Sequence, residues 1–344
     1  MVVRTLGGGR RPIRPAPNFV VHPSASGSRG IFPRDAFLLG GALHRRMRFD
    51  LVSTEDPLLC GLAGYALGRR FGLPFSAQIA GDMLDNHYWL GERRINPPLN
   101  VLGTWLVRRA DSVRVVSERE RQKLLRLGVR PERVRTIGWI TDFSRFDGVE
   151  GSALRERLLG DGRYLLLAMN RLVLQKDLPT LLRAMALVAR ERADVRLAIA
   201  GDGPERGRAE RLAARLGLLD RVTFLGTIPY PDVPRHYAAS DLVLLPSRYE
   251  GNARVLAEAG AAGKPVVTTD VSGARDTVLE GETGHVVPVA RPDLLAERTL
   301  ALLADPTRIQ AMGARAHEHV RQLYDQERLL SAFAEFWTMT KDGR

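Results

Sequence analysis

"LVLLPSRYEGNARVLAEAG", residues 242 to 260, joins a short apolar run to a helix-forming run through a Gly-Asn pair, with glutamates at 250 and 258. An apolar strand that turns into a helix is half of a βαβ unit, from which parallel sheets are built. The pattern recurs on both sides. "PVVTT" (265–269) and "HVVPV" (285–289) follow; "RYLLLAM" (163–169), "VRLAIAG" (195–201) and "RVTFLG" (221–226) precede. The first half repeats the scheme with "NFVVHP", "DLVSTE", "FSAQIAG", "SVRVVS" and "VRTIGWI", spaced by helices such as 57–71 and 97–110. A length of 344 residues, 44% hydrophobic, suffices for two domains that each bury a core. We therefore predict an α/β chain of two doubly wound, Rossmann-like domains facing a central cleft. The amino-terminal domain spans 1–150 and the second 151–325, with a helix at 326–344 returning to the first. The weak periodicity from Thr141 to Gly162 marks the hinge.

Composition narrows the function. The single cysteine, Cys60, forms no internal disulfide, and "MVVRTLGGGRRPIRP" lacks the apolar centre of a secretory signal, which predicts a cytoplasmic protein. Apolar runs are of strand length, well short of the roughly 18 residues that span a membrane. Residues 1–150 carry 24 Lys and Arg against 14 Asp and Glu, so most of the net charge of +12 lies there. Such asymmetry suits an anionic acceptor or peripheral contact with the inner face of an anionic membrane. Nucleic acid is not expected as a partner, since zinc-finger spacing, an RNP-like motif and a helix-turn-helix are all missing. No Asp-x-Asp and no His/Cys cluster has metal-ligand spacing, so no cofactor is expected.

In open α/β sheets, ligands bind beyond the carboxyl ends of the strands. After 163–169 comes "NRLVLQKD", with Arg171 and Lys176; after 195–201 comes "GDGPE", where Gly201 and Gly203 permit close backbone approach to a ligand. Lys176 is one of only four lysines among 51 basic residues. The Arg171 fork can grip two phosphate oxygens, and the compact Lys176 ammonium suits one leaving-group oxygen. Asn252 is a good N-cap, which predicts a helix from Ala253 with amides and dipole turned to an anion. Carboxylates beside a diphosphate would repel it, so Glu250 and Glu258 must hold hydroxylated groups instead. They lie about 9 Å or more apart at 1.5 Å per helical residue, which fits a transferable sugar and a ribose.

These stretches, with "AGDGPE", "RVTFLG", "ASDLVLLPSRYEGNARVLAEAGAAGKPVVTTDVSGARD" and "GETGHVVP", resemble the carboxyl-terminal domain of family 4 retaining glycosyltransferases, whose fold is GT-B. The amino-terminal half is similar through "DLVSTEDP", "RRFGLPFSAQIAGD", "RRADSVRVVSERERQKL" and "VRTIGWITDFSRF". The resemblance implies that Arg171 and Lys176 hold the diphosphate of a nucleotide sugar, Glu250 meets the sugar and Glu258 the ribose. Gly251, Asn252 and Ala253 would offer backbone amides, and Thr227 and Ile228 of "TIPY" would flank the base. It also implies metal-independent transfer of a hexosyl group, with retention, to a cell-envelope glycan, a lipid or a small molecule.

Two departures from the family pattern stand out. Ala80 occupies the place where such enzymes often carry a histidine near the donor sugar; Asp82 remains to orient a hydroxyl, and His87 lies seven residues on. The family's opening strand, glycine loop and long helix are missing, which predicts a shortened amino-terminal domain with a gap near its sheet centre. "GGGRRP" also lacks the spacing of a dinucleotide fingerprint, so a nicotinamide oxidoreductase is disfavoured. The alternative is a catalytically impaired homologue that binds a nucleotide sugar or a partner without turnover.

Overall fold

All six strands expected in the second half form, each within two residues of its expected ends, in the computed structural model, which describes residues 1–3 and 11–343. The glycine run at 7–9 lies outside the described residues. The chain divides into two units, residues 1–138 with 330–344, and residues 139–329.

In the first unit the strands are β1 (Val2–Val3), β2 (Ile13–Ala16), β3 (Phe19–Pro23), β4 (Val52–Thr54), β5 (Phe75–Ile79), β6 (Ser112–Val115) and β7 (Val134–Thr136). The last four form one parallel sheet in the order β4-β5-β6-β7. β5 and β6, central in the sheet, are buried along their whole length although their residues alternate: Phe75, Ala77, Ile79, Val113 and Val115 are apolar, while Ser76, Gln78, Ser112 and Arg114 satisfy one another by hydrogen bonds. The first three form a separate sheet, β1-β3-β2, in which β2 and β3 are an antiparallel hairpin. Phe75, Ile79, Val113, Val115 and Leu124 make the core. Arg114 is buried beneath it at 2% exposure: its guanidinium donates to the carbonyls of Ile137 and Gly138 and to Gln78 Oε1, and stacks on Phe333 of the carboxyl-terminal helix.

In the second unit β8 (Tyr164–Met169), β9 (Val195–Ala200), β10 (Val222–Gly226), β11 (Leu242–Leu245), β12 (Val266–Thr269) and β13 (Gly284–Val287) are all parallel. Their order is β10-β9-β8-β11-β12-β13, so the winding reverses between β8 and β11. Apolar residues recur at helical spacing in Leu178–Glu191, and Leu181, Leu182, Met185 and Val188 close over Leu166, Leu197 and Leu244. Residues 139–150, which the sequence reading placed with the first domain, pack in this unit. Phe143 sits edge-on to Tyr324 at 5.5 Å and Phe146 to Tyr237 at 5.7 Å. Burial of two phenyl rings, at about 1.5–3 kcal/mol each, outweighs the weak local pattern that suggested a hinge there.

Candidate functional site

Because the winding reverses between β8 and β11, the loops that follow these two strands diverge and leave a crevice at their carboxyl ends. Lys176 comes from the first loop and Glu250 from the second, and their side chains form a buried ion pair. Ser247 Oγ donates to the same carboxylate at 2.6 Å, and Gln175 Nε2 reaches its other oxygen at 3.3 Å. Gln175 also bonds the Tyr249 carbonyl at 2.8 Å, while its own carbonyl accepts from the Arg248 amide at 2.8 Å. Asp177 takes a left-handed conformation at φ 45° to turn the first loop into its helix, and is bonded by Arg248 at 3.3 Å. The two loops are thus tied by five contacts. Arg171 is exposed and makes no ion pair among the described residues, so its fork remains open to an anion.

The helix of the opening motif runs Arg254–Ala261, with Ala253 at its cap position and no side-chain cap. This corrects the expectation that Asn252 caps it. The Asn252 Oδ1 instead accepts from the Tyr324 hydroxyl at 3.2 Å, and Gly273, at φ 77°, lies against the Asn252 and Gly251 backbone. Gly251 and Ala253 are buried in this turn, next to amides of the first helical turn that lack intrahelical partners by geometry.

Glu258 lies one turn into the same helix, half-buried. The Tyr237 hydroxyl donates to it at 2.9 Å and Arg254 stands 3.7 Å away. Burial pushes the Glu258 carboxyl above its ordinary value; the Tyr237 bond and the nearby Arg254 and Arg145 pull in the opposite direction. Burial also pushes the Tyr237 phenol well up, reinforced by Glu258.

Gly201 and Gly203 also make room for a neighbouring loop. A Cβ at Gly201 would fall on the Asn170 carbonyl, and one at Gly203 on the Leu172 carbonyl. The glycines therefore admit the loop after β8, which is stitched to theirs by Asn170 N to Ala200 O at 3.0 Å and Leu172 N to Asp202 O at 2.9 Å. Thr227 is exposed and Ile228 half-buried in the loop after β10.

In the first unit Asp82 is buried beyond β5 and paired with Lys123, whose ammonium also bonds Glu120 at 3.2 Å. Sequence reasoning missed Lys123, although the rarity of lysine that drew attention to Lys176 applied equally to it. His87 opens a short helix capped by Asn86 and packs on Tyr88, with ring centres 4.0 Å apart. A cavity of about 370 Å³ in the second unit, lined by Trp139, Ile140, Asp142, Arg145, Tyr230 and Arg254, was also not foreseen.

Comparison with known proteins places these features. Residues 152–319 match the family model of group 1 glycosyl transferases, and residues 1–138 match that of the glycosyl transferase 4-like domain. Alpha-D-kanosaminyltransferase of Streptomyces kanamyceticus is 32% identical over 259 residues, 73% of this chain and 67% of that protein. A GDP-mannose-dependent alpha-(1-6)-phosphatidylinositol monomannoside mannosyltransferase of Mycolicibacterium smegmatis is 39% identical over 168 residues, 46% of this chain; the chain spans less than half, 44%, of that relative's length. Among solved structures, sucrose-phosphate synthase from Thermosynechococcus elongatus superposes with a TM-score of 0.85 at 24% identity, covering 99% of this chain and 88% of that one. The likeness establishes the fold, GT-B.

Proposed function

From the premise that the chain belongs to the group 1 glycosyl transferases, we propose that it moves a hexosyl group from a nucleoside-diphosphate sugar, with retention and without a divalent metal, to a cell-envelope glycan, a lipid or a small-molecule acceptor. The observation that carries this reading is the Lys176–Glu250 pair at the reversal of strand order, beside the start of the helix Arg254–Ala261.

Loss of a nucleoside diphosphate from a sugar places negative charge on the departing phosphate. Fixed cations and backbone amides stabilise that charge most where they need no rearrangement. Lys176 and Arg171 supply the cations, and the amides around Gly251, Asn252 and Ala253 supply dipoles. Glu250, anchored by Ser247 and Gln175, is oriented to accept from hydroxyls of the transferred sugar. Glu258 accepts from the ribose, and Thr227 and Ile228 border the base. The acceptor attacks on the face the phosphate leaves, so no protein nucleophile is needed. Asp82, held by Lys123, orients a hydroxyl in the first unit.

The reading extends to a cytoplasmic protein in peripheral contact with an anionic membrane. Helices Leu59–Phe71 and Asn96–Val107 contain no acidic residue. They present exposed Leu62, Val101 and Trp105, with Tyr65 edge-on to Trp105 and the Arg109 guanidinium 4.2 Å over its ring. No helix among the described residues is long and apolar enough to cross a membrane.

The test is a panel of nucleotide sugars in thermal-shift titration, followed by turnover of the stabilising donor with and without excess EDTA. The expected result is a raised melting temperature with one donor and EDTA-resistant transfer or hydrolysis. Donor binding without turnover on any acceptor would favour the impaired homologue that Ala80 suggests. Loss of activity in EDTA, restored by magnesium or manganese, would remove Lys176 and Arg171 from the leaving-group role.

A further inference from the structure

We propose that the cavity bordered by Asp142 and Tyr230 seats the nucleobase of the donor, and that the open carboxylate oxygen of Asp142 selects guanine. The proposal rests on the reading of Glu258 as the ribose partner. Arg254, on the cavity wall, lies one helical turn before Glu258 and 3.7 Å from it, so a ribose held by Glu258 has this cavity as its neighbouring space. A volume of about 370 Å³ lies within the range of small-ligand sites, roughly 300–1,000 Å³.

The walls suit a flat heterocycle. The Arg145 guanidinium lies over the Tyr230 ring, 3.6 Å from its centre, and donates to the Tyr230 carbonyl. A planar cation fixed in this way is itself a stacking surface. Trp139 and Ile140 supply apolar area from the segment that opens the second unit.

The edge chemistry comes from Asp142. The Ser144 amide and hydroxyl donate to its Oδ1 at 2.9 and 2.6 Å, which fixes the carboxylate plane. Its Oδ2 accepts no hydrogen bond among the described residues. The Ser144 hydroxyl bond, followed by the Ser144 amide, holds this carboxyl below its ordinary range, so at neutral pH it is an anion. Guanine presents two adjacent donors, N1–H and the N2 amine, to such an oxygen. Uracil presents one N3–H flanked by two carbonyl oxygens, and adenine's amine is flanked by ring-nitrogen acceptors. A fixed carboxylate attracts the first pattern and repels the flanks of the other two.

Calorimetric titration of the full chain with GDP, UDP and ADP tests this, on the native sequence, Asp142→Asn and Asp142→Ala. GDP is expected to bind at least about tenfold more tightly than UDP or ADP, a factor typical of one well-made base contact. Asp142→Asn keeps an oxygen for Ser144 but turns the open acceptor into a donor. It should lose about tenfold in GDP affinity and bind UDP as well as, or better than, the native chain. UDP or ADP binding as tightly as GDP, or a GDP preference intact in both variants, overturns the base assignment and leaves the donor-domain reading standing. If none of the three diphosphates binds the folded native chain, the donor-domain reading itself fails, and the base assignment fails with it.

Discussion

Lys176 and Glu250, 74 positions apart in the chain, share one buried ion pair across the reversal point of the second sheet. Without donor, the cation proposed for the diphosphate is thus neutralised by the carboxylate proposed for the sugar. A bound diphosphate must compete for Lys176, and in doing so it leaves Glu250 to the sugar hydroxyls, with Ser247 still holding it. With these proposed roles, phosphate and sugar recognition would be coupled through a single contact.

Lys176→Ala and Arg171→Ala should each weaken binding of the parent nucleoside diphosphate by roughly 1.5–3 kcal/mol, the worth of a charge-assisted contact. Their effects on folding should differ. Arg171 is exposed and makes no ion pair among the described residues, so its loss should leave stability unchanged. Loss of Lys176 leaves the buried Glu250 with only Ser247 and Gln175, at a cost of up to about 3 kcal/mol. Calorimetry with urea titration separates the two quantities; equal stability of both variants would mean that the pair contributes nothing to the fold.

Glu250→Gln and Glu258→Gln should fail in different ways. Removal of the Glu250 charge frees Lys176, so affinity for the bare diphosphate should hold or rise while turnover of the intact donor falls. Removal of the Glu258 charge should weaken the bare nucleotide by roughly 1–2 kcal/mol. Steady-state rates set beside calorimetry decide it, and weaker diphosphate binding in Glu250→Gln would break the proposed division of the donor.

The raised Glu258 carboxyl gives a pH signature. Burial makes the folded chain hold this proton at a pH where the unfolded chain, with an ordinary value near 4.5, has released it. Stability should therefore fall as pH rises from about 4.5 through the raised value, and level off above it. Nucleotide affinity should move the other way, because only the ionised form accepts from both ribose hydroxyls. Urea titrations across pH, on the native chain and Glu258→Gln, provide the check: the variant should lose the downward slope, and identical slopes would assign it to other groups.

Sedimentation with lipid vesicles examines the face around Trp105. Binding should require anionic lipid, weaken as salt is raised, and fall in Arg109→Ala and Trp105→Ala. Partition to neutral vesicles, or indifference to salt, would leave Trp105 and Val101 as ordinary solvated residues.

Much of the second unit was legible in the sequence because its strands are buried on both faces and read as continuous apolar runs bounded by loop residues. The loops carrying Arg171, Lys176 and Glu250, and the helix carrying Glu258, followed from that rhythm alone. What remained hidden was contact. Nothing local says that Lys176 and Glu250 touch, or that Lys123 meets Asp82 across 41 positions. The hairpin of β2 and β3 escaped because β2, "IRPA", is exposed throughout and carries no apolar alternation. Asn252 misled because cap propensity is a local tendency, and here a tyrosine from 72 positions downstream took the side-chain oxygen.

Gly201 and Gly203 bear on how this enzyme's donor preference can be exchanged by recombination with relatives. The carbonyls of Asn170 and Leu172 occupy the volume that any side chain at those two positions would need. The loop after β8 and the loop after β9 are therefore one heritable block, although the helix Leu178–Glu191 and the strand β9 separate them. A chimera that imports either loop alone inherits a steric conflict, or a void, set by the other parent's sequence. Crossovers should be placed before Asn170 and after Glu205, so that both loops travel together.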